Sequence, residues 1–353
     1  MKLHDPFSAL RNKDFRLFLA AKFLITVAGQ MQAIVASWLI YEKTKDPFSL
    51  GLIGLVEAIP ALSLALPGGL IADRFSRKKI MLLSTCLMVL SAIILCLYTN
   101  PVLINLFKQD FNFNNVSALY VIIFMVGLAR GFYVPAQAAY WAQILPKEKY
   151  VNASVWNSSL WQIGVVTGPA LGGIFYAQLG AFMTSIIVMV LMMIVAMLIT
   201  FFTPTAVLPH SGRESVKESI QKGIAYFFKH PILLSAVSLD LFAVLFGGAV
   251  ALLPAFADTV LKVGPEGLGF LRSAPAIGAV SMSLLLAFYP PHKGAGKKML
   301  VCVAGFGLCM IAFALSKSFW LSFTILVVSG MFDNVSVVIR STILQTHTPD
   351  EMR

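Results

Sequence analysis

The chain has 353 residues, of which 58% are hydrophobic and only 12% charged. Soluble domains carry about 25% charged residues, so this chain cannot cover a normal water-facing surface. A cytosolic enzyme and a disordered protein are excluded. So is a nucleic-acid-binding domain, although the net charge is +11, because the basic residues are scattered over connections with no reading motif.

Ten apolar segments follow one another at roughly residues 15–40, 50–72, 80–98, 118–142, 155–176, 181–202, 232–257, 267–289, 299–315 and 320–344. A helix needs about 20 apolar residues to cross a bilayer. Backbone facing lipid must satisfy its own hydrogen bonds, so segments of this length are expected to be helices. These are spans one to ten of an all-α polytopic membrane protein. The polar, basic leader of residues 1–16 precedes a run too long for a signal peptide, so span one reads as retained.

Lys and Arg crowd the connections on the side of the N-terminus. The opposite side holds only Lys43, Lys45, Lys108, Lys262 and Lys317. The positive-inside rule then puts both termini in the cytoplasm. The cysteines (Cys86, Cys96, Cys302, Cys309) all fall in apolar runs and read as small hydrophobes. Histidines and cysteines form no cluster, so no metal and no cofactor is implied.

Residues 204–231 form the longest polar stretch. Val216, Ile220, Ile224, Phe227 and Phe228 make a helical stripe there, as expected of an amphipathic helix on the inner membrane face. It separates a six-helix bundle, residues 1–203, from a second bundle with four visible helices, residues 232–353. An internal repeat supports the division. Arg77-Lys78-Lys79-Ile80-Met81-Leu82 follows span two, and Lys297-Lys298-Met299-Leu300 follows span eight. Leu145-Pro146-Lys147-Glu148 follows span four, and Thr348-Pro349-Asp350-Glu351 follows span ten, with Gly127 and Gly330 at matched distances before those prolines. A duplicated six-span unit is a transporter feature.

Two motifs are sharper. Gly69-Leu70-Ile71-Ala72-Asp73-Arg74-Phe75-Ser76-Arg77-Lys78-Lys79 joins spans two and three. Its acid adds nothing to positive-inside orientation, so a charge network is expected. Gly164, Gly168, Pro169, Gly172 and Gly173 in span five give one helix face of small residues with a bend point.

Together these motifs resemble the major facilitator superfamily. The first is similar to its signature loop, with Ser76 in place of a usual glycine, and the second to its export-associated helix-five signature. Leu10-Arg11-Asn12-Lys13-Asp14-Phe15-Arg16, Leu268-Gly269-Phe270-Leu271-Arg272-Ser273-Ala274-Pro275 and Thr348-Pro349-Asp350-Glu351-Met352-Arg353 resemble the branch of enterobactin exporters and macrolide-efflux transporters. The resemblance implies a two-bundle fold with twelve helices, of which six plus four are visible. It implies that Asp73 and Arg77, with Gly69, Arg74 and Lys78 around them, belong to a conformational latch that engages helix eleven. It implies that Arg130 corresponds to a helix-four arginine linked to proton coupling.

Ionisable groups inside a bilayer are costly and point to function. Lys22 lies near the start of span one and can snorkel. Glu57, Arg130, Asp240, Arg272, Asp333 and Arg340 are the candidates for proton coupling or substrate contact. Asp333 and Arg340 are two turns apart on one helix face, a spacing at which they can satisfy each other. A desolvated carboxyl can trade its proton near neutral pH, and an adjacent arginine opposes that exchange. Glu57 and Asp240 compete with a second reading, as parts of structural ion bridges. Trp38, Trp141, Trp156, Trp161 and Phe242 read as packing residues or as the lining of a greasy cavity.

The expected function is proton-coupled efflux of a small amphipathic or siderophore-like molecule by alternating access, in a bacterial-type inner membrane. Uptake symport or uniport on the same fold, and a non-transporting truncated remnant, are the alternatives. A membrane-embedded enzyme is disfavoured, since no HExxH or GxSxG motif and no intramembrane histidine is present.

Overall fold

The computed structural model describes residues 7–106, 116–203, 230, 234–235, 238–239, 241–242, 249–288 and 295–347. Ten α-helices are described: α1 Lys13–Thr44, α2 Pro47–Arg74, α3 Arg77–Thr99, the short α4 Pro101–Leu106, α5 Ser117–Ile144, α6 Tyr150–Thr200, α7 Ala249–Thr259, α8 Gly264–Phe288, α9 Ala295–Leu315 and α10 Phe319–His347. Eight candidate membrane spans are present among the described residues. The expected amphipathic helix of residues 204–231 and most of span seven lie outside the described residues.

Spans five and six are one continuous element, α6, broken at Gly180. At 1.5 Å per residue a straight helix of that length would be about two and a half times the hydrocarbon thickness. Gly180 turns it back with φ 80 and ψ 173, a backbone region open essentially only to glycine. Both ends of α6 therefore meet the start of the chain. The Ala9 amide donates to Asn152 Oδ1 at 3.0 Å, and the Thr203 amide donates to Asp14 Oδ1 at 3.1 Å.

The contacts sort the chain into two compact units. One comprises residues 1–210 with 251–270; the other comprises 211–250 with 271–353. In the first, α1 is the most buried span. Phe15, Phe18, Met31, Ile34 and Ile40 are fully enclosed, and Tyr140 stacks on Phe202 with ring centroids 5.0 Å apart. Asn12 caps α1 by accepting from the Phe15 amide at 3.1 Å and donates to the Ile144 carbonyl at 3.0 Å, which joins the start of α1 to the end of α5.

At the opposite end of this unit, Lys45 closes α1 in the left-handed conformation, φ 51. Its ammonium donates to Asp258 Oδ2 at 2.8 Å, and this bond raises its pKa. Asp46 caps α2 by accepting from the Phe48 and Ser49 amides, which lowers its pKa.

The basic cluster between α2 and α3 is built into the same unit. Lys78 donates to the Thr200 carbonyl at 2.7 Å and the Phe202 carbonyl at 2.6 Å, satisfying acceptors that α6 leaves unpaired at its C-terminus. Arg77 donates to the Ala72 carbonyl at 3.4 Å and the Ala139 carbonyl at 3.3 Å. Lys78→Met is expected to destabilise the chain by about 1–2 kcal/mol. Unfolding in mixed detergent micelles measures it, and a variant as stable as the parent would show that these carbonyl contacts contribute nothing.

Candidate functional site

An ion pair joins two spans of the first unit. Arg130 of α5 donates through Nη1 to Glu57 Oε1 of α2. Both side chains keep partial access, 41% for Arg130 and 29% for Glu57, so the pair is sheltered and still reachable. The second terminal nitrogen of Arg130 lies 3.7 Å from the place a β-carbon on Gly29 of α1 would occupy. Three helices thus converge on one guanidinium.

A close helix crossing creates this convergence. A β-carbon on Gly127 would collide with the Glu57 carbonyl and lie 2.8 Å from Pro60 Cγ; one on Gly131 would lie 2.7 Å from Leu64 Cβ. Small residues let α5 sit directly on the α2 backbone. Arg130 is three residues past Gly127, almost a full turn, and lands on the carboxylate three residues before Pro60.

The second unit repeats the crossing with α8 and α10. A β-carbon on Gly330 would collide with the Pro275 carbonyl and lie 2.7 Å from Pro275 Cα. Arg272 stands three residues before Pro275, as Glu57 stands before Pro60. Asp333 stands three residues after Gly330, as Arg130 stands after Gly127. The two halves therefore carry equivalent charged positions with inverted signs. Equal offsets from the proline and the glycine were the signal for this, and the matched glycines alone did not reveal it.

The glycine motif of α6 packs on two neighbours. Gly164, Gly168 and Gly172 face α1, where added β-carbons would meet Thr26 Cγ2 at 3.0 Å, Gln30 Cβ at 2.6 Å and Met31 Cα at 3.0 Å. Gly173 faces α8, with Pro265 O at 2.5 Å and Gly269 Cα at 2.9 Å. Pro169 lies in the same stretch, and its carbonyl meets Gly269. This face carries close contacts on both sides.

The other candidates are placed separately. Asp240 lies outside the described residues, as does the side chain of Asp73. Gly69 has open space around its α-carbon, and Arg74 is exposed. Asp333 is exposed, and no salt bridge joins it to Arg340. Arg272, which belongs to the second unit, is part-buried. Lys22 does not simply snorkel: its ammonium donates to Asn157 Oδ1 of α6 at 2.6 Å. Trp141 and Trp156 pack against the core and Trp38 is buried, while Trp161 and Phe242 are exposed.

Two buried polar groups, one turn along the chain from Arg130 and from Gly29, were not singled out from the sequence. The Tyr133 hydroxyl, one turn beyond Arg130, and Gln32 Oε1, one turn beyond Gly29, are buried with no hydrogen-bond partner among the described residues. Such atoms are costly to leave unsatisfied. The Gln32 amide nitrogen donates to Ser91 Oγ at 3.1 Å.

Gly127→Val is expected to destabilise the chain by about 1–3 kcal/mol through overpacking at the α2–α5 crossing. The same change at Gly51, which has open space, serves as the control. Thermal unfolding in detergent compares them, and equal midpoints would contradict the crossing.

The family profile of the Major Facilitator Superfamily matches residues 18–353. The MFS-type transporter YkuC of Bacillus subtilis (strain 168) is 28% identical over 265 residues. That match covers 70% of this chain and 57% of YkuC. The enterobactin exporter EntS of Escherichia coli O1:K1 is 24% identical over 342 residues, covering 96% of this chain and 78% of EntS. Among solved structures, a mutant of the nucleoside transporter NupG superposes with a TM-score of 0.76 at 14% identity, covering 96% of this chain and 85% of NupG. A bacterial homologue of the iron transporter ferroportin gives a TM-score of 0.68 at 14% identity, covering 97% of this chain and 86% of its own. The chain is an integral membrane protein and belongs to the major facilitator superfamily.

Proposed function

We propose that this chain serves proton-coupled efflux of a small amphipathic molecule, drug-like or siderophore-like, by alternating access in a bacterial inner membrane with its N-terminus in the cytoplasm. The Glu57–Arg130 pair carries this reading. A proton on Glu57 discharges the carboxylate and releases Arg130; loss of the proton re-forms the pair. Because both side chains are half-sheltered, water and substrate can compete for them. The Tyr133 hydroxyl, one turn along α5 and without a hydrogen-bond partner among the described residues, is the acceptor this reading assigns to Arg130 once the pair opens.

The remaining candidates take supporting roles. Arg272 and Asp333, at the sign-inverted equivalent positions, supply a second charged step within the second unit, and Asp240 and Arg340 are the further coupling candidates. The glycine face of α6 gives the moving interface. Asp73, Arg74, Arg77 and Lys78 form the latch at the cytoplasmic surface. The efflux direction rests on the kinship with the enterobactin exporter EntS and on the helix-five motif.

Transport in sealed inside-out vesicles with an imposed proton gradient tests this. The expected outcome is gradient-driven accumulation of at least one dye from a set containing anionic, neutral and cationic amphipaths. Glu57→Gln is expected to remove the gradient dependence while leaving downhill dye exchange. Gradient-driven movement in the opposite direction would establish uptake instead, and no flux of any dye would contradict transport altogether.

A further inference from the structure

We propose that Lys22 and Asn157 form the anion-binding subsite of this transporter, so that the transported molecule is an organic anion. The inference deepens the transport reading above and rests on it. Lys22 sits nine residues into α1, on a helix that crosses the membrane. A cation at that depth is costly unless something compensates it. No carboxylate pairs with Lys22 among the described residues. Its bonding partner is the neutral Asn157 Oδ1, at 2.6 Å. An ammonium has three donors, so two remain for a ligand.

The surroundings fit a charged guest. Lys22, Thr26 and Gly29 lie along one partly accessible stripe of α1, whereas Ala21, Ile25 and Ala28 beside them are buried. Arg130 reaches that stripe at Gly29, two turns from Lys22. The stripe thus carries two cations against the single carboxylate of Glu57, an excess of positive charge that an anionic substrate neutralises. Trp161, one turn past Asn157 on α6, is 50% exposed and offers an aromatic surface one turn from the residue that holds the ammonium.

Binding to the purified full chain tests the proposal independently of flux. Fluorescein anisotropy reports an anionic probe, and ethidium reports a cationic one of similar size. Saturable fluorescein binding is expected. Lys22→Gln should weaken it about tenfold and Lys22→Arg by much less, as for loss of one charge-assisted bond. Asn157→Asp, which keeps the hydrogen bond and neutralises the ammonium, should weaken it similarly and guards against misfolding of the first variant. Neither change should strengthen fluorescein binding. Absence of saturable fluorescein binding, equal binding by Lys22→Gln and the parent, or preference for ethidium would overturn the subsite. If fluorescein binds as expected and no dye is moved in vesicles, the transport reading fails and the subsite stands.

Discussion

The approach of α5 onto the backbone of α2 is the constraint on which the rest of the first unit depends. In hydrocarbon there is no hydrophobic drive to bring helices together, so contact comes from close packing and polar bonds. Gly127 and Gly131 supply the closeness against Glu57, Pro60 and Leu64. The closeness then places Arg130 on Glu57, so a packing feature and a charged site share one cause. The same two residue types, proline on one helix and glycine on the other, make the α8–α10 crossing in the second unit.

Around that crossing, polar groups at the helix ends hold the first unit together. Lys78 closes the C-terminus of α6. Asn12 starts α1 and binds the last turn of α5. The basic signature loop therefore has a structural task inside its own bundle in addition to the latch role proposed for it. These tasks are compatible, since a latch needs a rigid base, and the carbonyl contacts of Arg77 and Lys78 provide one.

Much of this was legible in the sequence. Hydropathy alone placed nine of the ten spans on described helices, because a twenty-residue apolar run has one stable form in lipid. Glu57 and Arg130 were both visible as costly intramembrane charges, and the helix-five glycines as a packing face. What hydropathy could not show was which helices meet. Gly164 against α1 and Gly173 against α8 are tertiary facts, and adjacent residues of one motif serve different partners. Lys22 reads alone as a residue that reaches for the surface, because its partner Asn157 is a neutral side chain far away in the chain. Asp333 and Arg340 have a spacing that permits pairing, but Asp333 is set instead by the Gly330 crossing, which equates it with Arg130.

A double-mutant cycle on Glu57→Gln and Arg130→Gln tests the central claim most directly. Unfolding in mixed micelles gives the free energy of each variant. If the α2–α5 crossing holds the two charges together, removing both costs less than the sum of the single losses, with a coupling of about 1 kcal/mol, modest because both side chains are partly exposed. Strictly additive losses would mean that the two residues do not sense each other and would contradict the account.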